Sequence, residues 1–263
     1  MTYTTLAMSI VLAVIQPPQQ KLPDHVQKAK EVVVEHLNNI KGTDGQVVWL
    51  DHESLTKAFP KQAFFAVRYR IYPVARKLPE GMAASNLFVV QDGKLEYLKD
   101  NKALAAFFKA HLASVAKDTV DTALSSYLVL GQEFVQDGFY TFEIDTKGFV
   151  AAGEGKSIST AKGRAIAMKG GNGEILVEMK LDDQGKVAEA TFDRSKLKQG
   201  PRPICQATKL LDGDAVVRRM AEQDLLFMGL AVREYLMEQR AVANPELRQA
   251  IDRLLEQIEK NAW

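Results

Sequence analysis

Cys205 is the only cysteine in the chain. An intramolecular disulfide is therefore excluded, and so is a zinc site built on several thiolates. Histidine is scarce too, with four residues at positions 25, 36, 52 and 111. His25 and His36 share nearly one helical angle but would lie about 16 Å apart along a helix axis, so one ion cannot touch both. Asp51-His52-Glu53 sets three ligand types in a row, yet adjacent residues rarely converge on one ion. No metal and no cofactor is expected. An excess of one charge is also missing: 34 Lys+Arg face 33 Asp+Glu, a net of +1. Nucleic-acid binding needs a concentrated basic surface, and here Arg68/Arg70 and Arg218/Arg219 are local clusters among acids. Nucleic acid is not an expected partner.

Long apolar runs are lacking as well. The most apolar stretch, Leu6–Ile15, has ten residues and meets Gln16-Pro17-Pro18-Gln19-Gln20. A membrane-spanning helix needs about 20 residues, and no later segment supplies them. The run reads as the apolar core of an export signal, with Val11-Leu12-Ala13 at the cleavage site. Met1–Thr5 carries no Lys or Arg, and the competing reading is a buried amino-terminal strand. No cysteine follows the run to carry a lipid anchor. Residues 1–20 are thus expected to be a signal peptide and Gln/Pro linker. The mature chain is expected in the periplasm or secreted, with the cytoplasm as alternative.

What is present is an ordinary globular composition: 263 residues, 46% apolar and 25% charged, enough for a real core. Val26, Ala29, Val33, Leu37 and Ile40 recur at helical spacing, predicting a helix over 25–40 with Asp24 as cap and Gly42 and Gly45 beyond its end. Strand chemistry follows at 47–50, with a helical turn at 54–59. The segment 63–72 then places Val67, Tyr69 and Ile71 on one face and Arg68 and Arg70 on the other. Leu87–Val90 and Leu95–Leu98 flank Asp92-Gly93, a hairpin turn whose residues tolerate positive φ. Helices are predicted near 101–112 and 118–134, then strands at 139–144, 158–168, 175–181 and 187–192. A long helix from Asp212 or Asp214 to Leu236 and a second one from Asn244-Pro245 form a carboxy-terminal pair.

The expected class is α+β, with antiparallel sheets packed against helices and a carboxy-terminal antiparallel helical hairpin. The first α+β unit is placed at 21–135. A second, β-rich unit at 136–263 includes the helical pair. In element order alone, the first unit resembles cystatin-like and NTF2-like architectures, a likeness that does not fix function.

Sites of reaction chemistry are hard to find. Gly153-Glu154-Gly155-Lys156-Ser157 looks like the end of a phosphate-binding loop, but Val150 stands where the first glycine belongs and a strand follows instead of a helix. Cys205, flanked by Ile204 and followed by Leu210-Leu211, reads as a small buried hydrophobe. No Gly-x-Ser-x-Gly elbow occurs. The aromatic and basic residues Phe64, Arg68, Tyr69, Arg70 and Tyr72 are the candidate binding set, placed on the concave face of a curved sheet.

The reading that follows is an exported non-enzymatic protein that binds a small ligand or a protein partner through a sheet face. The alternative is a hydrolase-like enzyme whose catalytic groups converge only in the fold, in a deep pocket with several perturbed ionisable groups. A purely structural oligomer would instead show an apolar outer stripe along 217–236.

Overall fold

The computed structural model describes residues 22–72, 78–153, 158–202 and 206–260. The apolar run Leu6–Ile15, most of the Gly-Lys-Ser loop and Cys205 lie outside the described residues.

The chain opens with α1 (Asp24–Asn39), whose Val26, Ala29, Val33 and Leu37 are buried on one face. Pro23 rather than Asp24 holds the cap position, with Asp24 in the first turn. Next come β1 (Gln46–Trp49), the short α2 (Glu53–Ala58), β2 (Gln62–Arg68), β3 (Ser85–Gln91) and β4 (Lys94–Leu98), the four strands forming an antiparallel sheet in sequence order. The β3–β4 hairpin turns on Asp92 at φ 49° and Gly93 at φ 74°, the positive angles that a tight turn demands. Inner strands β2 and β3 are buried almost throughout, the pattern of a sheet covered on both faces. Phe65, Val67, Phe88 and Val90 pack under α1. Phe64, Leu87 and Val89 face the opposite way, into a larger core.

That core is filled by α3 (Asn101–His111) and α4 (Val120–Gly131). Asp100 caps α3 by accepting from Ala103 N at 2.8 Å. Apolar on nearly all sides, α4 buries Leu124, Tyr127, Leu128 and Leu130 together, as a helix in the middle of a layered body must. Beyond it lies a second sheet built from β5 (Thr141–Ile144), β6 (Val150–Ala152), β7 (Thr160–Lys169), β9 (Glu174–Leu181) and β10 (Val187–Asp193). A two-residue ribbon, β8 (Gly171–Asn172) with β11 (Lys198–Gln199), extends from its end. In β9 the side chains of Ile175, Val177, Met179 and Leu181 point into the core, whereas Glu174, Glu178 and Lys180 do not. One face is wet and one dry, so period two is clean here. The same apolar cluster contains Phe64 of β2 and Val177 of β9. It is therefore continuous across the boundary expected near residue 135.

The carboxy-terminal part comprises α5 (Ala215–Met228), α6 (Arg233–Val242) and α7 (Pro245–Lys260) around their own core of Leu225, Leu236, Ile251 and Leu254. Asp214 caps α5, and Asn244 caps α7 by accepting from Leu247 N at 2.8 Å. The single long helix expected up to Leu236 is broken: Gly229 at φ 55° and ψ −134° stops α5, and a 3-10 turn leads into α6. Ion pairs Arg233–Glu259 and Arg240–Asp252 join α6 to α7. A step of seven residues along α6 is answered by seven back along α7, so these two helices are antiparallel. No helix among the described residues is long and apolar enough to cross a membrane.

Candidate functional site

The end of β2 is where side chains of different character meet. Alternation along the strand sends Val67 and Tyr69 under α1, and Arg68 and Arg70 to the other side. Tyr69 is 6% exposed, and its hydroxyl donates to Gly42 O at 3.0 Å. Gly45 lies against it: a Cβ there would stand 2.6 Å from Val67 Cγ1 and 3.0 Å from Tyr69 Cζ, so only glycine lets the chain pass. Burial, with Asp44 nearby, raises the Tyr69 hydroxyl above its ordinary pKa. Next to this seat, two residues past α1, Lys41 takes a left-handed conformation at φ 53°, while Gly42 N donates back to Leu37 O. That closing pattern favours glycine at the left-handed position.

Arg68 turns toward the 3-10 turn Gln132–Val135 that follows α4. Its guanidinium grips Glu133 with both carboxylate oxygens, Nε to Oε2 at 3.0 Å and Nη2 to Oε1 at 2.5 Å. Ser85 Oγ donates to the same Oε2 at 2.6 Å. Glu133 is 4% exposed, so the carboxylate is paired and hydrogen-bonded, as a buried charge must be. Two residues on, Arg70 pairs with Glu238 of α6 and lies over the Tyr235 ring at 5.5 Å. Tyr235 in turn accepts from Ala207 N at 2.8 Å. Burial raises its hydroxyl, an effect opposed by that N–H and by Arg70. Tyr72 meets Phe139 edge-on at 5.7 Å.

Together these groups line a cleft of about 950 Å³ between the end of the first sheet, the segment 136–139 and α6. Of the residues singled out from sequence, Arg68, Tyr69, Arg70 and Tyr72 border it. Phe64 does not: it is 2% exposed and packs edge-on against Phe59 and Phe107. Nor is the cleft on a sheet face. Both faces of the first sheet are covered by helices, and the residues gather at the strand's end instead. Lys41, Ser85, Phe139, Tyr235 and Glu238 also border it, with Glu133 behind Arg68 and Ser85. Of these, only Glu133 left a sequence signal, an acid inside the apolar stretch Leu128–Val135.

The histidines lie elsewhere. His36 packs on Phe88, His52 caps α2 through Ser54 N and His111 packs on Phe107. Asp51-His52-Glu53 does not converge, since Glu53 pairs with Lys57. Among the described residues no group of three or more His, Cys, Asp or Glu is placed to hold a metal ion. Ser85 beside Glu133 has the outline of a nucleophile with its base, but Glu133 already serves Arg68 with both oxygens. Moving the Ser85 proton onto it would leave the guanidinium facing a neutral acid, a loss that opposes base catalysis. The trio is a lock that ties β2 and β3 to the end of α4. Compared with known family models, curated proteins and solved structures, the chain has no match.

Proposed function

We propose that the chain is a non-enzymatic binding protein and that its cleft takes a small carboxylate with a planar body. The observation that carries this reading is Arg70, held at the cleft by Glu238, a carboxylate on another element, and lying over the Tyr235 ring. Arg70 is 35% exposed and Glu238 50%, so a ligand carboxylate reaching the cleft competes with Glu238 for the guanidinium. Arginine suits this role because its fork matches a carboxylate in two bonds. Tyr72 and Phe139 supply aromatic surface and Lys41 a cation on the rim, among acids that include Glu80 and Glu234 and confine the ligand carboxylate to the Arg70 end. Pockets of about 300–1,000 Å³ are the size that encloses such ligands. An exported setting belongs to the same proposal and rests on the run Leu6–Ile15.

The test is a thermal-shift panel of benzoate, 4-hydroxybenzoate and phenylacetate, with benzamidine as the cationic counterpart. The acids are expected to raise Tm and benzamidine to leave it unchanged. Arg70→Gln should abolish the shift. Glu238→Gln, which removes the internal competitor, should enlarge it. No shift at millimolar acid, or the same shift in Arg70→Gln, sinks the reading.

A further inference from the structure

A second groove, of about 660 Å³, runs between the β8–β11 ribbon and the bend from α5 into α6. One wall is glycine backbone: Gly170, Gly171 and Gly200. These glycines have a structural reason, since a Cβ on Gly171 would stand 2.3 Å from Lys198 O and one on Gly170 2.4 Å from Phe139 O. The opposite wall has no such reason. It carries Phe227 at 70% exposure and Leu230 at 47%, and Leu226 and Ile258 deepen it. Large apolar side chains left open along a groove mark a surface that something covers. Charge says what. Lys169 and Lys198 border the groove and no acidic residue does. Behind the glycine wall Arg202 Nη1 collects the carbonyls of Gly170, Gly200 and Pro201, so these acceptors are turned onto the guanidinium rather than onto the groove.

We infer that this groove binds a free long-chain carboxylate, with the chain against Phe227 and Leu230 and the head group met by Lys169 and Lys198. A second copy of this chain fits less well. A contact between copies through the groove would bury Lys169 and Lys198 with no acidic residue of the groove to pair them, and an unpaired buried charge is costly.

The probe is dodecanoate below its micelle concentration, titrated calorimetrically against dodecyltrimethylammonium. The expected result is 1:1 binding of dodecanoate, at least tenfold tighter than the cationic amphiphile. Phe227→Ala and the double variant Lys169→Gln/Lys198→Gln should each weaken it about tenfold. All three positions are exposed, so the fold should persist, and circular dichroism checks this. Arg70→Gln should leave dodecanoate affinity unchanged. A loss in that variant places the amphiphile in the first cleft and overturns the inference, as does equal affinity for both head groups or indifference to the groove variants. A dimer in sedimentation equilibrium that Phe227→Ala dissociates also overturns it, because the groove is then occupied by a second copy.

Discussion

Glu133 serves Arg68 and Ser85 at once, and removing its charge should be felt in stability before anything else. Breaking a buried pair from one side costs about 3–5 kcal/mol. Arg68 is 35% exposed, so water recovers part of the loss and Glu133→Gln should cost about 2 kcal/mol. Urea unfolding measures it, and a change under about 0.5 kcal/mol would mean that the lock bears no weight. Lys41 predicts the opposite sign. A left-handed non-glycine residue costs about 1–2 kcal/mol, and glycine's extra unfolded-state freedom takes back about 0.5–1 kcal/mol. Lys41→Gly should therefore stabilise by about 0.5–1 kcal/mol while weakening carboxylate binding in the cleft. A destabilised variant would show that the lysine is held there by contacts rather than kept for a ligand. At this scale the sequence was legible by face and not by depth. Phe64, Arg68, Arg70 and Tyr72 share one parity along β2, so period two groups them. Phe64 sits under Phe59 and Phe107, whereas the last three emerge at the strand's end. Glu238 and Tyr235, far along the chain, could not be paired with Arg70 from spacing alone.

Elements were readable where a local rule acts by itself. Asp92-Gly93 gives the hairpin, Asp100, Asp214 and Asn244 give helix starts, and the alternation of β9 gives a one-sided sheet. Spacing predicts one helix through Gly229 because Leu225, Met228, Val232 and Leu236 keep helical periodicity across the break. The sign of one substitution separates the two descriptions. In an unbroken helix Gly229→Ala would stabilise by about 1 kcal/mol. At φ 55° and ψ −134° it should instead destabilise by about 1–2 kcal/mol, read from the melting of the carboxy-terminal helices. The outer face of the second sheet contributes to the acid limit. Arg164 of β7 hydrogen-bonds Asp145 and holds its carboxyl below the usual range. Lys196, and then Arg164, do the same for Glu174. A carboxylate lowered in the folded state contributes stability above its unfolded pKa and loses it as pH falls through the folded one. Tm should be flat from neutral pH down to about 5 and decline below about 4. Arg164→Met should shallow that decline, and an unchanged acid slope would exclude this pair network as its source.

At the level of the whole molecule, the arrangement of hydrophobic contacts decides what unfolds together. Both sheets send side chains into one cluster, Phe64 and Val89 from one side, Val177 and Met179 from the other, with Leu124 and Leu128 of α4 between them. Sequence reading placed two units either side of residue 135 because each run of strands is preceded or followed by its own helices. Nothing local announces that α4 is shared, except that it is apolar on almost every face, and that is what a helix with neighbours on both sides requires. The carboxy-terminal helices differ, since Leu225, Leu236, Ile251 and Leu254 close on one another in a separate cluster. Their ties to the rest near the cleft include Arg70–Glu238 and the Arg70 guanidinium over the Tyr235 ring, a paired charge at partial exposure and one cation–ring contact. A cooperative unit is defined by its shared buried contacts. Hydrogen exchange followed by mass spectrometry should therefore give peptides from β2, β3, β7 and β9 one common opening free energy, the global one. Peptides from α5 to α7 should open at a lower value, and a carboxylate bridging Arg70 and Lys41 should raise that value without altering the common one. Separate free energies for β2 and β9 would instead show two independent units, with α4 belonging to only one of them.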